Sequence, residues 1–171
     1  MGEATKNTET TIENVRIYAE AKKTISERFF GSVNVSVLYD DVAEIDYRAV
    51  VSLGLGAFLF KTESTSLSLD AGPAYIWEDV AGVTDDYVAM RFGQRLEHAF
   101  SETANAWQSA EYIPKADDFE DFLLNLEVGA EAALSSRLNL RVVLQNKHDS
   151  TPGESLKKND LVLIGGLSLS F

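Results

Sequence analysis

Strict alternation of apolar and polar residues, renewed from one end of the chain to the other, most narrows what this sequence can fold into. It is cleanest in residues 161–171 (LVLIGGLSLSF), where Leu161, Leu163, Leu167, Leu169 and Phe171 hold alternate positions with Gly165 between them. A period of two puts such residues on one face of a β-strand. A long apolar strand with no polar tail invites aggregation on a soluble protein. It suits a strand whose outer face meets lipid.

The same period recurs in nine candidate strands, near 12–23, 28–39, 46–60, 65–77, 86–100, 103–113, 121–134, 137–148 and 160–171. Val33, Val35, Val37 and Tyr39 alternate with Asn34 and Ser36, and Leu124, Leu126, Val128 and Ala130 alternate with Asn125 and Glu127. Strands of this spacing predict an all-β, up-and-down antiparallel barrel. Residues 1–11 are a polar N-terminal segment, and residues 12–171 form the barrel domain.

Composition narrows the function. The 171 residues suffice for one domain. A formal charge of −12 argues against nucleic acid, which needs a basic surface. With no cysteine, disulfides, thiol catalysis and cysteine zinc sites are excluded. No run reaches the roughly 18 apolar residues of a membrane helix. The opening MGEATKNTETT lacks the apolar core of a signal peptide, as in a mature or trimmed secreted chain.

The connections read as alternately short (24–28, 61–65, 101–103, 135–137) and long (40–46, 78–86, 114–121, 149–160). Outer-membrane barrels pair short periplasmic turns with longer outer loops. Their strand number is even in single bacterial chains. Nine strands therefore lead us to expect at least one further strand upstream of residue 1. Aromatics gather in two belts, Phe29, Phe30, Phe58, Phe60, Phe100 and Phe171 at the short turns, and Tyr39, Tyr47, Tyr75, Trp77, Tyr87, Tyr112, Phe119 and Phe122 at the long loops. Both membrane interfaces favour such rings.

Alternation alone does not say which face is wet, since a soluble ligand-binding barrel has the same period. If the Leu/Val face points outward, the interior receives Arg16, Glu20, Lys22, Arg48, Asp70, Arg91, Arg95, Glu97, Glu111, Glu127, Glu131, Arg141 and Lys147. Seven cations against six anions read as a salt-bridged or water-filled lumen. Gly54 and Gly56 lie within a strand, where glycine relieves curvature, and Pro73 predicts a bulge or an edge position.

Several short motifs, in order, carry a resemblance. Tyr47-Arg48, Gly54-x-Gly56, Ala71-Gly72-Pro73, Asp149-Ser150-x-Pro152 and Lys158-x-Asp160 resemble the YdiY-like salt-induced outer-membrane protein family, which carries a domain of unknown function. The resemblance covers essentially the whole chain. It implies a bacterial outer-membrane location and an envelope-structural or salt-stress role, with no catalytic residues to carry over. Its members usually have a signal peptide and further N-terminal strands. The ending on Phe171 resembles the signal read by the barrel-assembly machinery, which with outer-membrane lipid and lipopolysaccharide gives the expected partners.

Two constellations invite chemistry. His148 and Ser150 share a face with Asn146, in the manner of the His-x-Ser pair of outer-membrane phospholipases, where His activates Ser as nucleophile. The bland reading is that Asp-Ser-x-Pro opens a loop. The resembling proteins keep that motif without a consistent His, so we expect no enzyme. Fifteen carboxylates fall in the long connections: Asp40, Asp41, Glu44, Asp46, Glu78, Asp79, Asp85, Asp86, Asp117, Asp118, Glu120, Asp121, Asp149, Glu154 and Asp160. They read as a solvated acidic rim without an ordered calcium motif. No catalytic, cofactor or metal residue is assigned. The expected function is structural, with a narrow solute channel or a soluble ligand-binding barrel as alternatives.

Overall fold

The computed structural model describes residues 14–41, 44–135, 138–152 and 157–169. They form nine strands: β1 (Asn14–Thr24), β2 (Phe29–Asp40), β3 (Ile45–Lys61), β4 (Thr65–Val80), β5 (Val83–Ser101), β6 (Ala104–Pro114), β7 (Phe122–Ala133), β8 (Leu138–Asp149) and β9 (Asn159–Leu169). Each pairs antiparallel with its sequence neighbours, in the single order β1 to β9. The described residues include no helix, which has no bearing on crossing a membrane by strands. The observed strands start and stop within three residues of those expected from alternation. Residues 1–11 and Phe171 lie outside the described residues.

The sheet curls into a half-barrel, so that Arg16 and Lys22 of β1 line one interior space with Lys147 of β8 and Ile164 of β9. Among the described residues β1 and β9 are its free edges. Both run in the same direction, so a direct seam between them is parallel, whereas an added strand of opposite direction pairs antiparallel with each.

The expected alternation of short and long connections needs correction. One end carries connections 25–28, 62–64, 102–103 and 134–137; the other carries 41–44, 81–82, 115–121 and 150–158. Only the last two are long. The polar stretch 78–86 is not a loop: Glu78 pairs with Asp85, Asp79 with Thr84 and Val80 with Val83. Ala81 and Gly82 close this hairpin with φ of 53° and 76°, the double left-handed geometry of a tight two-residue turn. Polar side chains do not stop a ladder when a neighbouring strand is there to pair.

Pro73 marks neither a bulge nor an edge. It lies in the interior strand β4, and Ser52↔Ala74 and Leu55↔Ala71 hold one register on either side of it. The register shifts of this pair lie instead at Ile45/Tyr47 and Phe58/Phe60. Leu53 and Gly54 drop out of the β3–β4 ladder opposite Pro73 and Gly72. A Cβ on Gly72 would overlap the Leu53 carbonyl. The donor that proline lacks thus falls where this ladder already has a gap.

The two faces are inverted relative to a soluble barrel. Val33, Val35 and Val37 of β2, Leu126 and Val128 of β7, and Leu140, Val142 and Leu144 of β8 are exposed on the outside. Leu55 is 73% and Leu163 71% exposed, while Arg48 is 9% and Arg91 6% exposed within. Alternation explains this directly, because successive Cβ atoms point to opposite faces. The one apolar cluster inside, among the described residues, joins Val50, Ala74, Ile76, Ala89 and Ile113, with Tyr87 and Leu123 packed on it. It sits towards the end carrying 81–82 and 150–158, here the loop end, opposite the turn end.

Candidate functional site

Charged side chains converge on the inner face. All thirteen charges expected inside line its three cavities. The cavities measure about 480 Å³ at the turn end, 440 Å³ in the middle and 60 Å³ against the apolar cluster. The first two meet at Arg95 and Arg141, and the last two at Arg91 and Glu111. The lumen therefore carries charged side chains along its length and narrows towards the apolar cluster at the loop end.

Its centre is Arg91 on β5. The guanidinium pairs with Asp70 of β4 and, at 2.5 Å, with Glu111 of β6. Asn125 of β7 donates to Glu111 at 2.9 Å, extending the network over four strands. Such a buried group is tolerated because every charge has a partner of opposite sign. Glycine makes room for it: a Cβ on Gly93 would meet the Asp70 carboxylate and the Arg91 guanidinium. Gly54 likewise faces the lumen beside Ser32 and Asp70.

A second network braces the curl. Arg48 of β3 pairs with Glu78 of β4 and, at 2.9 Å, with Asp149 of β8. β3 and β8 are not sheet neighbours, so this bond spans the interior. The sequence places Glu78 and Asp149 in an outer acidic rim; the structure corrects this, because their strands extend further than expected and carry both inward. The signal was available for Glu78, two positions beyond inward Ile76. Glu154 of that rim lies outside the described residues. Among the described residues no group of three acidic or His side chains is arranged to hold a metal ion.

Towards the turn end, the Trp107 indole donates to Glu127 at 2.6 Å, Gln145 donates to Glu127 at 2.7 Å, and Arg141 stacks 4.6 Å over the Trp107 ring. Gly129 lies under that ring and Gly56 under the ring of Phe30; a Cβ on either would overlap it. Phe30, Phe58 and Tyr87 thus belong to the lumen and not to the outer belts, since depth along a strand does not decide its face. Phe30 and Phe58 pack at 5.2 Å, and Ile76 opposes Tyr87 across the β4–β5 ladder. Tyr39, Tyr47 and Trp77 at one end, and Phe29, Phe60 and Phe100 at the other, are exposed outside.

The structure does not join His148 to Ser150. The His148 ring bonds Asn159 at 3.0 Å and packs on Phe122, while Ser150 Oγ accepts the Phe122 N–H at 2.7 Å. Ser150 N–H also donates to the Phe122 carbonyl, which anchors the loop after β8 to the start of β7. Asp149, between them, serves Arg48.

No curated protein and no solved structure shows significant similarity to the chain. The model of one family, described as "Protein of unknown function, DUF481", matches residues 1–171, the whole chain. The protein belongs to that family.

Proposed function

We propose that this protein is a bacterial outer-membrane β-barrel protein with an envelope-structural or salt-stress role, of the YdiY-like kind its motifs resemble, and that it performs no catalysis. One observation carries this reading: an exposed Leu/Val face outside and paired charges within. A soluble barrel hides its apolar face, because burial contributes about 25 cal/mol per Å². A lipid-facing barrel does the reverse, with aromatic rings at both interfaces. Strands of 11 to 19 residues meet or exceed the roughly 9–11 needed to cross a bilayer, and the β4–β5 hairpin, with strands of 16 and 19, projects beyond it. The lumen, crossed by ion pairs and narrowing to about 60 Å³ at its loop end, favours a structural role over the alternative of a solute channel.

Brominated acyl chains quench only indoles that touch them. Trp77 is 42% exposed on the outer face and Trp107 is 7% exposed inside. In brominated vesicles, a variant keeping only Trp77 is expected to lose fluorescence strongly, and one keeping only Trp107 weakly. Equal quenching, or recovery of the protein in buffer without detergent, would overturn the membrane reading. Discrete conductance steps in a planar bilayer would replace the structural role by the channel.

A further inference from the structure

We propose that the loop end of the lumen binds a small inorganic oxyanion, of phosphate size, between Arg16, Lys147, Asn34 and Ser52. All four line the cavity beside the apolar cluster. Both carboxylates lining that cavity are committed, Asp149 to Arg48 and Glu111 to Arg91. Arg16 and Lys147, in contrast, form no ion pair or hydrogen bond among the described residues. Buried Asp40 and Asp160, the ladder partner of Lys147 on β9, attract Lys147 from a distance. Arg16 is exposed and Lys147 half-buried, and two cations lining one cavity repel each other until an anion joins them.

The neutral groups point to the same sign of charge. Asn34 and Ser52 are 4% and 1% exposed, and Asn34 Nδ2 and Ser52 Oγ have no hydrogen-bond partner. They oppose one another across the β2–β3 ladder. Tyr18 donates to Asn34 Oδ1 at 2.9 Å, which occupies the amide's acceptor and leaves its donor free. An unmade bond at a buried donor is costly. A guanidinium, an ammonium, an amide N–H and a hydroxyl around one space are the donors that a tetrahedral oxyanion accepts. The space of about 60 Å³ opens into the 440 Å³ cavity, which gives an entry path.

The test is calorimetric titration of inorganic phosphate into the full chain in detergent, at constant ionic strength set with sodium chloride. Saturable heat at one site is expected. Lys147→Gln and Arg16→Gln should each weaken it by roughly tenfold or more, the scale of one charge-assisted hydrogen bond. Lys147→Arg should retain it, and Arg95→Gln, which does not line this cavity, should leave it unchanged. Arg16→Gln also removes an exposed, repelling charge, so without phosphate it should melt at or above the parent temperature. Only the parent and the Arg95→Gln and Lys147→Arg forms should gain stability as phosphate is added. No saturable heat, binding equal in the Gln variants, or the same stabilisation by chloride alone would each overturn the proposal.

Discussion

Replacing Arg91 by Met isolates what the lumenal charge network contributes. The side chain is 6% exposed, and its removal strands Asp70 and Glu111 as two buried carboxylates without a cation. Deleting one partner of a buried ion pair costs about 3–5 kcal/mol, and two stranded anions put this variant at the upper end of that range. The Arg95–Glu97 pair provides a control, because its side chains are 38% and 51% exposed. Arg95→Met should therefore cost no more than about 1 kcal/mol. Combining R91M with D70N and E111Q removes every charge of the triad, and should recover most of the loss, since neutral replacement of a buried network is often close to isoenergetic. The assay is guanidinium unfolding of the full chain in detergent, followed by the fluorescence of Trp107, whose indole lies in the same lumen. Equal losses for R91M and R95M would refute the reasoning. So would a triple variant as unstable as the single one.

Two further outcomes follow from contacts on either side of the sheet. Gly129→Ala drives a methyl into the Trp107 ring and should cost about 1–3 kcal/mol with a shift in Trp emission; Gly165→Ala, with nothing within 4 Å, should leave both unchanged in the same unfolding and emission measurements. Ser150→Ala removes the acceptor of the Phe122 N–H and should cost about 0.5–1.5 kcal/mol, while esterase assays on the parent and on His148→Ala should give the same background; a His148-dependent turnover would restore the hydrolase reading.

The sequence disclosed most of the fold because one rule, alternation, links each residue to a face. Once Leu161 and Leu163 were set outward, Arg141 and Lys147 followed inward from the same parity. Parity also placed Glu111, Glu127 and Arg91 without knowledge of their partners. What stayed hidden depended on pairing in space. Residues 78–86 look like a loop because they are acidic, yet a two-residue turn at Ala81 and Gly82 keeps their ladder intact. The Arg48–Asp149 bond joins residues 101 apart, and no local pattern announces a contact made only when the sheet curls. Depth along the strand puts Phe30 and Tyr87 in the outer belts, whereas parity puts them in the lumen. Asn34 and Ser52 carried no signal at all, since an unmatched donor becomes visible only when its surroundings are known.

The central claim is that the apolar face meets lipid and the charged face does not. The chain has no cysteine, so single cysteines at 140 to 145 in β8 can carry spin labels one at a time. In lipid vesicles, labels at Leu140, Val142 and Leu144 should collide readily with oxygen and rarely with a water-soluble nickel chelate. Labels at Arg141, Val143 and Gln145 should show much lower oxygen accessibility, giving a period of two along the strand. Free access of the nickel chelate to positions 140, 142 and 144 would contradict the account.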